Sequence, residues 1–551
     1  MKKITIIILL SIAILIAIIT RFYMLGKAPS GLYLDEAGQG YSAYSILKTG
    51  KDEFGKSFPI VFRSFTDFKT PVYIYLIVPL IPIFGLTAFT VRFPSFLFSI
   101  FTIPILYLLV LKLSKNQKLA IITSFLLAIS PWHILFGRTN FECNVALFFF
   151  LTGVLSFYYA LEKPKLLILS GLLFAIAIPS YHAQRIITPL MVIILFLRYK
   201  NILLSKSHFK YLIVAAIIGL IISLPTLSVA TTPGFLARAG LNIFSYQKPA
   251  GYLDNYHGIS SLIINNRMFL SIKEFASLYV SYFSPRNLFI LGDSGPRSSF
   301  PELGTFFLWQ FPFYIYGLYK LIKSKNLGEI KFFTLSFLLI APIPAALTRD
   351  PYSTIRSLQM VIPITISIAI AIVELANRLQ KNNHKIAFYL ISILLILYSL
   401  GKLYSSVIIL NEYYRGKYWN YGWEEASQII KSWGANAPVI VDNSRDEPYI
   451  QLAFFLSADP ATFQKENFEV TPAEYYINMQ RNKEKHIGRL VTRPIDWEHD
   501  LANEQYMIGD ELAISLQQIK EHHLTLIEEI KYPSGEVALR IVKTNPKTTS
   551  R

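Results

Sequence analysis

The chain has 551 residues, 53% of them hydrophobic, and a mean hydropathy of +0.42, values that exclude a soluble domain with an ordinary surface. Its 53 Lys and Arg against 35 Asp and Glu give a formal charge of +18, which in a soluble protein would raise the question of nucleic acid. Much of that excess lies in short loops between apolar runs, so it reads as a determinant of membrane orientation and not as a nucleic-acid surface.

The first element is the uncharged run Ile4 to Thr20 behind Lys2 and Lys3. No small-x-small cleavage site follows between Arg21 and Pro29, so the run is expected to be a retained span with its N-terminus in the cytoplasm. Basic clusters recur at Lys112, Lys115 and Lys118; at Lys163 and Lys165; from Arg198 to Lys210; at Lys320, Lys323 and Lys325; and at Arg378, Lys381 and Lys385. All are expected on the cytoplasmic side. Paired apolar runs separate them, such as Leu119 to Gly137 and Val145 to Leu161, each able to cross about 30 Å of hydrocarbon, which gives about 11 spans. Val72 to Phe84 is short and holds Pro79 and Pro82, so a re-entrant or interfacial helix is expected there.

This order places the polar motifs on the outer face. They are the first external loop 22–90, the turns Arg138 to Glu142 and Tyr181 to Arg185, the long loop 231–299, the turn Thr348 to Arg356, and the tail from residue 404. The fold expected is a polytopic α-helical membrane protein over residues 1–403, followed by an extracytoplasmic soluble α/β domain over residues 404–551. In the tail, helical patterns fall at Glu424 to Trp433 and Tyr449 to Leu456. Strand patterns fall at Pro438 to Val441 and, after the turn signal Pro533-Ser-Gly, at Val537 to Val542. The single cysteine, Cys143, excludes an intrachain disulfide.

Ala37, Tyr41, Tyr44 and Leu47 recur at helical spacing up to Gly50, the pattern of an amphipathic helix lying on the membrane. Asp35, at its start, reads as an N-cap or as a carboxylate base that takes a proton from an attacking hydroxyl. A cap alone does not need Glu36 beside it. In Asp67-Phe-Lys69 the lysine is either a snorkelling anchor or the cation facing an acidic donor. Arg138 and Glu142, four residues apart, read as a helix-end pair or as a second acidic site. His182 and Arg185 add an imidazole and a cation at the same face. Arg349 and Arg356 suit a phosphate, of a headgroup or of a donor, because the guanidinium fork matches its oxygens. Asp293 reads as a turn residue. The stretch Tyr418 to Trp423, with Trp419, reads as an aromatic belt or as faces for sugar stacking.

In this order and on one face, the motifs resemble those of the GT-C membrane glycosyltransferases. The specific likeness is to glycosyltransferase family 39, which includes protein O-mannosyltransferases and has the lipid A aminoarabinose transferases as relatives. The residues that carry it are a first span followed by Arg21, Pro29, Leu34-Asp35-Glu36, Tyr41, Lys48-Thr-Gly50, Lys69 before Pro71, Gly85, Val91-Arg92, Ser130-Pro131, Arg138 to Glu142, and Arg349 to Arg356. The resemblance implies a multi-pass plasma-membrane enzyme. It would move a sugar, with inversion, from a polyprenyl-phosphate carrier to a protein, lipid or envelope-glycan acceptor on the extracytoplasmic face. It implies Asp35 as base with Glu36 beside it, Glu142 as the second acidic position, and Lys69 and Arg356 on the lipid phosphate. Arg185 and Arg349 are further candidates for the phosphate, and Tyr41, Asp67, His182 and Trp419 for the sugar or acceptor.

The chain departs from that pattern in two places. Many relatives have Lys-Pro-Pro where Lys69-Thr70-Pro71 stands, and the aminoarabinose transferases have glutamate where Phe68 stands. Asp67 is then the carboxylate left to serve a divalent metal. A flippase of lipid-linked sugars and a non-catalytic scaffold are the competing readings. The former would call for ionisable groups near mid-span and an inverted repeat, of which the sequence shows little.

Overall fold

The computed structural model describes residues 3–65, 67–229, 232, 267–348, 350–379, 381–433, 438–468, 474–477 and 483–546. The chain divides into two compact units. One comprises Met1–Tyr23, Ser95–Thr231 and Phe235–Ser406, and the other Met24–Pro94, Thr232–Gly234 and Val407–Arg551.

The first unit is a bundle of apolar helices, the form in which an uncharged run satisfies its own backbone in hydrocarbon. Among the described residues of the chain, eight helices are long and apolar enough to cross a membrane, or nine if the bent pair Gln117–Ala128 and Pro131–Arg138 is one span. The 54° bend falls at Ile129 and Ser130. There the Ser130 Oγ accepts the His133 N–H at 3.4 Å, and Pro131, which has no N–H to leave unpaired, opens the second helix. The expected eleven spans are not reached among the described residues because several apolar runs form short helices. Leu166–Ser180 has 15 residues and Phe311–Lys323 has 13, too few for a full crossing.

In Leu358–Arg378, 83% of the most apolar 18-residue stretch is buried, whereas in Lys3–Phe22, Lys206–Thr226 and Asn383–Trp419 the share is 11% and apolar side chains turn outward. Small residues set the closest approaches. Ser170 Oγ donates to the Gly153 carbonyl at 2.9 Å, and a Cβ at Gly153 would stand 2.9 Å from the Phe174 ring.

The second unit is built around the helix Leu34–Thr49. Tyr33 enters it extended (φ −60°, ψ 149°) and Gly50 ends it at φ 69°, its N–H bonded to the Ile46 carbonyl. The helix and its stop lie where the sequence puts them, but its surroundings correct the expected surface position. Every residue from Glu36 to Ala43 is buried. The polar-looking faces of this helix are made of Gly38, Gly40, Ser42 and Ala43, which are small enough to be packed against. A Cβ at Gly40 would meet the Phe454 ring at 2.6 Å and Val91 at 2.7 Å. The prolines break the next apolar stretch into Pro71–Ile77, a 3-10 turn Val78–Leu80 and Ile81–Phe84, which ends at Gly85 with φ 74°.

Strands β1 (Phe62–Ser64) and β2 (Asp67–Lys69) form an antiparallel pair with Phe62 opposite Lys69 and Arg63 opposite Phe68. Further along the chain come β3 (Val439–Val441), β4 (Lys485–Ile487), β5 (Leu490–Thr492), β6 (Tyr506–Gly509), β7 (Thr525–Lys531) and β8 (Val537–Lys543). They form one sheet in the order β4-β5-β3-β6-β8-β7. β3 runs parallel to β5 and β6, and the remaining neighbours are antiparallel. The helices Trp423–Ser432, Pro448–Phe455 and Pro460–Asn467 accompany it. Ile440, Met507, Ile514, Leu524 and Val542 make its core.

Candidate active site

Adjacent acids at the start of helix Leu34–Thr49 have opposite surroundings. Glu36 is fully buried, and one carboxylate oxygen accepts the Tyr33 N–H at 3.1 Å, closing the helix start. Arg92 clamps the same carboxylate with Nε to Oε1 at 3.0 Å and a terminal nitrogen to Oε2 at 2.8 Å. Its other donors go to the carbonyls of Pro29 at 2.9 Å and Gly31 at 2.7 Å. The cap at this helix start is therefore supplied by Glu36 and not by Asp35.

Asp35, one residue earlier, is 22% exposed and accepts a bond from the Lys69 ammonium at 2.7 Å; Lys69 is 12% exposed. Asp67, 25% exposed, lies 3.6 Å from the same ammonium. Strand β2 alternates its side chains, so Asp67 and Lys69 project to one face and Phe68 to the other. The result is a partly open cluster of two carboxylates around one cation, with a fixed negative balance at a helix start that favours acids. It holds the parts for proton abstraction beside a cation that can face an anion. No group of three or more His, Cys, Asp or Glu side chains able to hold a metal occurs among the described residues.

Two expected contacts with sugar or acceptor are corrected by burial. Tyr41 is fully buried and its hydroxyl donates to the Ala458 carbonyl at 3.1 Å. Trp419 is 1% exposed. Its ring stands edge-on to Tyr33 and 5.8 Å from the Arg92 guanidinium, so it packs against the clamp and presents no open face.

The first unit carries the other candidates. Glu142 precedes the helix Cys143–Ala160 and accepts the Ala146 N–H on its carbonyl at 3.1 Å; its side chain is largely buried. Arg138 is buried and donates to the carbonyls of Thr20 at 3.0 Å and Arg21 at 3.2 Å. His182 and Arg185 are half-buried at the turn that opens helix Gln184–Leu203. Tyr181, in the same turn, has its phenol pushed up by burial, then by Cys143. Arg356 opposes the shift, and Glu142 and Tyr282 add to it. Those charges gather Glu142, Arg356 and Tyr181 in one neighbourhood. Arg356 is half-exposed and pairs with Asp350. Arg349 lies outside the described residues, as do residues 233–266 of the long loop expected to be external. Asp293 is more than a local turn residue. It accepts the Gly295 N–H at 2.8 Å, and also the Thr354 N–H at 2.7 Å and hydroxyl at 3.0 Å, tying down the turn that carries Arg356.

The apolar helices mark a polytopic membrane protein. Residues 68–228 match the family model described as dolichyl-phosphate-mannose-protein mannosyltransferase, a stretch that begins at Phe68, beside Lys69. The fold is similar to that of ArnT from Cupriavidus metallidurans bound to undecaprenyl phosphate, with a TM-score of 0.54 at 11% identity over 98% of both chains. It is similar also to the archaeal oligosaccharyltransferase AglB from Archaeoglobus fulgidus in complex with an inhibitory peptide and a dolichol-phosphate. That match has a TM-score of 0.50 at 14% identity, over 97% of this chain and 74% of that one. None of the curated proteins compared with the chain matches it. The chain thus resembles the GT-C membrane glycosyltransferases in motif order, in family model and in fold.

Proposed function

We propose that the protein is an inverting glycosyltransferase that moves a sugar from a polyprenyl-phosphate donor to a protein, lipid or envelope-glycan acceptor on the extracytoplasmic face. The observation that carries this reading is the partly exposed cluster of Asp35, Lys69 and Asp67, with 2.7 Å between the Asp35 carboxylate and the Lys69 ammonium. The polyprenyl phosphates held by the solved proteins of similar fold support the donor class.

In the proposed step, Asp35 takes the proton of the acceptor as its heteroatom bonds the anomeric carbon. The bond from that carbon to the phosphate oxygen breaks on the opposite side, and polyprenyl phosphate leaves with the electron pair. One displacement inverts the anomeric centre and needs one base and one stabilised leaving group. Lys69, on a flexible stem, is assigned to the charge growing on the phosphate, with Arg185, Arg349 and Arg356 as further phosphate cations. Glu142 keeps its assignment as the second acidic residue, and Asp67 and His182 theirs as sugar or acceptor contacts. Glu36 becomes a positioning residue, since Arg92 occupies its carboxylate.

The test is release of free polyprenyl phosphate from a panel of polyprenyl-phosphate sugars by the purified protein with a crude envelope extract as acceptor source. Release with one sugar is expected. Movement of intact carrier across a vesicle bilayer without release would contradict the transferase.

A further inference from the structure

Residues Glu474–Tyr476 make a short 3-10 turn in the C-terminal part of the second unit, far in sequence from the active-site hairpin. Tyr475 is 2% exposed. Its hydroxyl donates to Asp52 Oδ2 at 2.5 Å and accepts the Arg63 N–H at 3.0 Å. The Arg63 guanidinium returns a bond to the Glu474 carbonyl at 2.8 Å. Next to it, Tyr476 stacks on Phe68 with 6.1 Å between centroids and 29° between planes. The Lys56 ammonium lies 4.7 Å from both tyrosine rings.

Register turns these contacts into a lever on the site. Arg63 stands opposite Phe68 and Phe62 opposite Lys69. The turn thus grips the first strand through the Arg63 backbone and the second through Phe68, which lies between Asp67 and Lys69. A pair of three-residue strands is too short to hold its own geometry in water. An ammonium on a long stem also needs a fixed base to meet Asp35 reproducibly.

Building on the transferase reading above, we propose that Tyr475 is a positioning residue for the donor-side cation. Its hydroxyl bridges Asp52 to the Arg63 backbone and so fixes the hairpin from which Lys69 reaches Asp35 and the leaving phosphate. The residues that set the active-site geometry then come partly from outside the segment that matches the family model, which ends at residue 228.

The experiment compares full-length wild type, Tyr475→Phe, Asp52→Asn and the double variant in detergent, reading kcat and KM for donor cleavage together with the unfolding temperature. Tyr475→Phe keeps the ring and removes the bridge. Asp52→Asn keeps an oxygen for the local turn and places an N–H₂ where the tyrosine found its acceptor. A displaced cation costs stabilisation of the transition state, so kcat is expected to fall about tenfold in each single variant with donor KM within about twofold. The double variant should be no slower than the slower single, because both remove one bridge. Singles with wild-type kcat and only a lower unfolding temperature, or losses that multiply in the double variant, would overturn the inference. Should Tyr475→Phe fail to fold, Asp52→Asn alone decides by the same split. A wild type that releases no polyprenyl phosphate contradicts the transferase reading itself, which keeps the two failures apart.

Discussion

Neighbouring carboxylates with the same side-chain chemistry are divided here by what each can reach. Glu36 meets a guanidinium whose donors are matched by its oxygens and by backbone carbonyls, and both side chains are fully buried. Asp35 meets an ammonium at a partly open edge. Removing one partner of a buried ion pair strands the other, a loss of about 3–5 kcal/mol. Arg92→Met is therefore expected to lower the unfolding temperature sharply, whereas Glu36→Gln, which still accepts the Tyr33 N–H, should cost less. Equal unfolding temperatures for Arg92→Met and wild type would show that the clamp is not structural. The sequence singled out Asp35 and Lys69, which the structure pairs at 2.7 Å, because charge beside a membrane face is expensive without a partner. The burial of Tyr41 was not legible, because spacing alone does not show that the glycines and serines of its helix invite close packing on every side.

The loop between Gly50 and β1 shows what an element adds. Asp52 is buried there, and burial pushes its carboxyl up from 3.8 to about 6 against the opposing effects of the Tyr475 hydroxyl, the Lys56 and Phe54 N–H groups and the Lys56 charge. Glu53, buried beside it, is shifted the same way by burial and by Asp52; Arg63 and Tyr75 also face this carboxyl. A carboxyl raised on folding contributes stability that is fully present below its unfolded value and is lost as the pH rises through its folded value. The contribution of Asp52 should thus fade between pH 3.8 and about 6, by about 3 kcal/mol. The wild type is expected to lose stability relative to Asp52→Asn as denaturation is repeated from pH 4 to pH 7. A difference that stays constant or runs the other way would contradict the assigned burial. Local elements were well marked in the sequence. Helices Trp423–Ser432 and Pro448–Phe455 and strand Val439–Val441 lie within a residue or two of their apolar patterns. The turn at Tyr475 carried no such mark, since its partners Asp52 and Arg63 lie 423 and 412 residues away.

At the scale of the whole chain, the sequence pointed to the membrane bundle but not to its count of helices, because an apolar run says nothing of where proline and serine break it, as at Ile129–Ser130. The proposed orientation can be tested cleanly, since Cys143 is the chain's single cysteine and is buried. Both Lys51 and Lys163 are exposed. Lys51→Cys should react with an impermeant maleimide on intact cells and Lys163→Cys only after permeabilisation; the reverse would invert the proposed topology. Whether Asp35 is the base of a sugar transfer is decided by release of free polyprenyl phosphate, comparing wild type with Asp35→Asn under identical donor and acceptor. Release by the wild type is expected, together with its loss in a variant that unfolds at the same temperature and still binds the carrier. Release by Asp35→Asn at the wild-type rate would contradict that role.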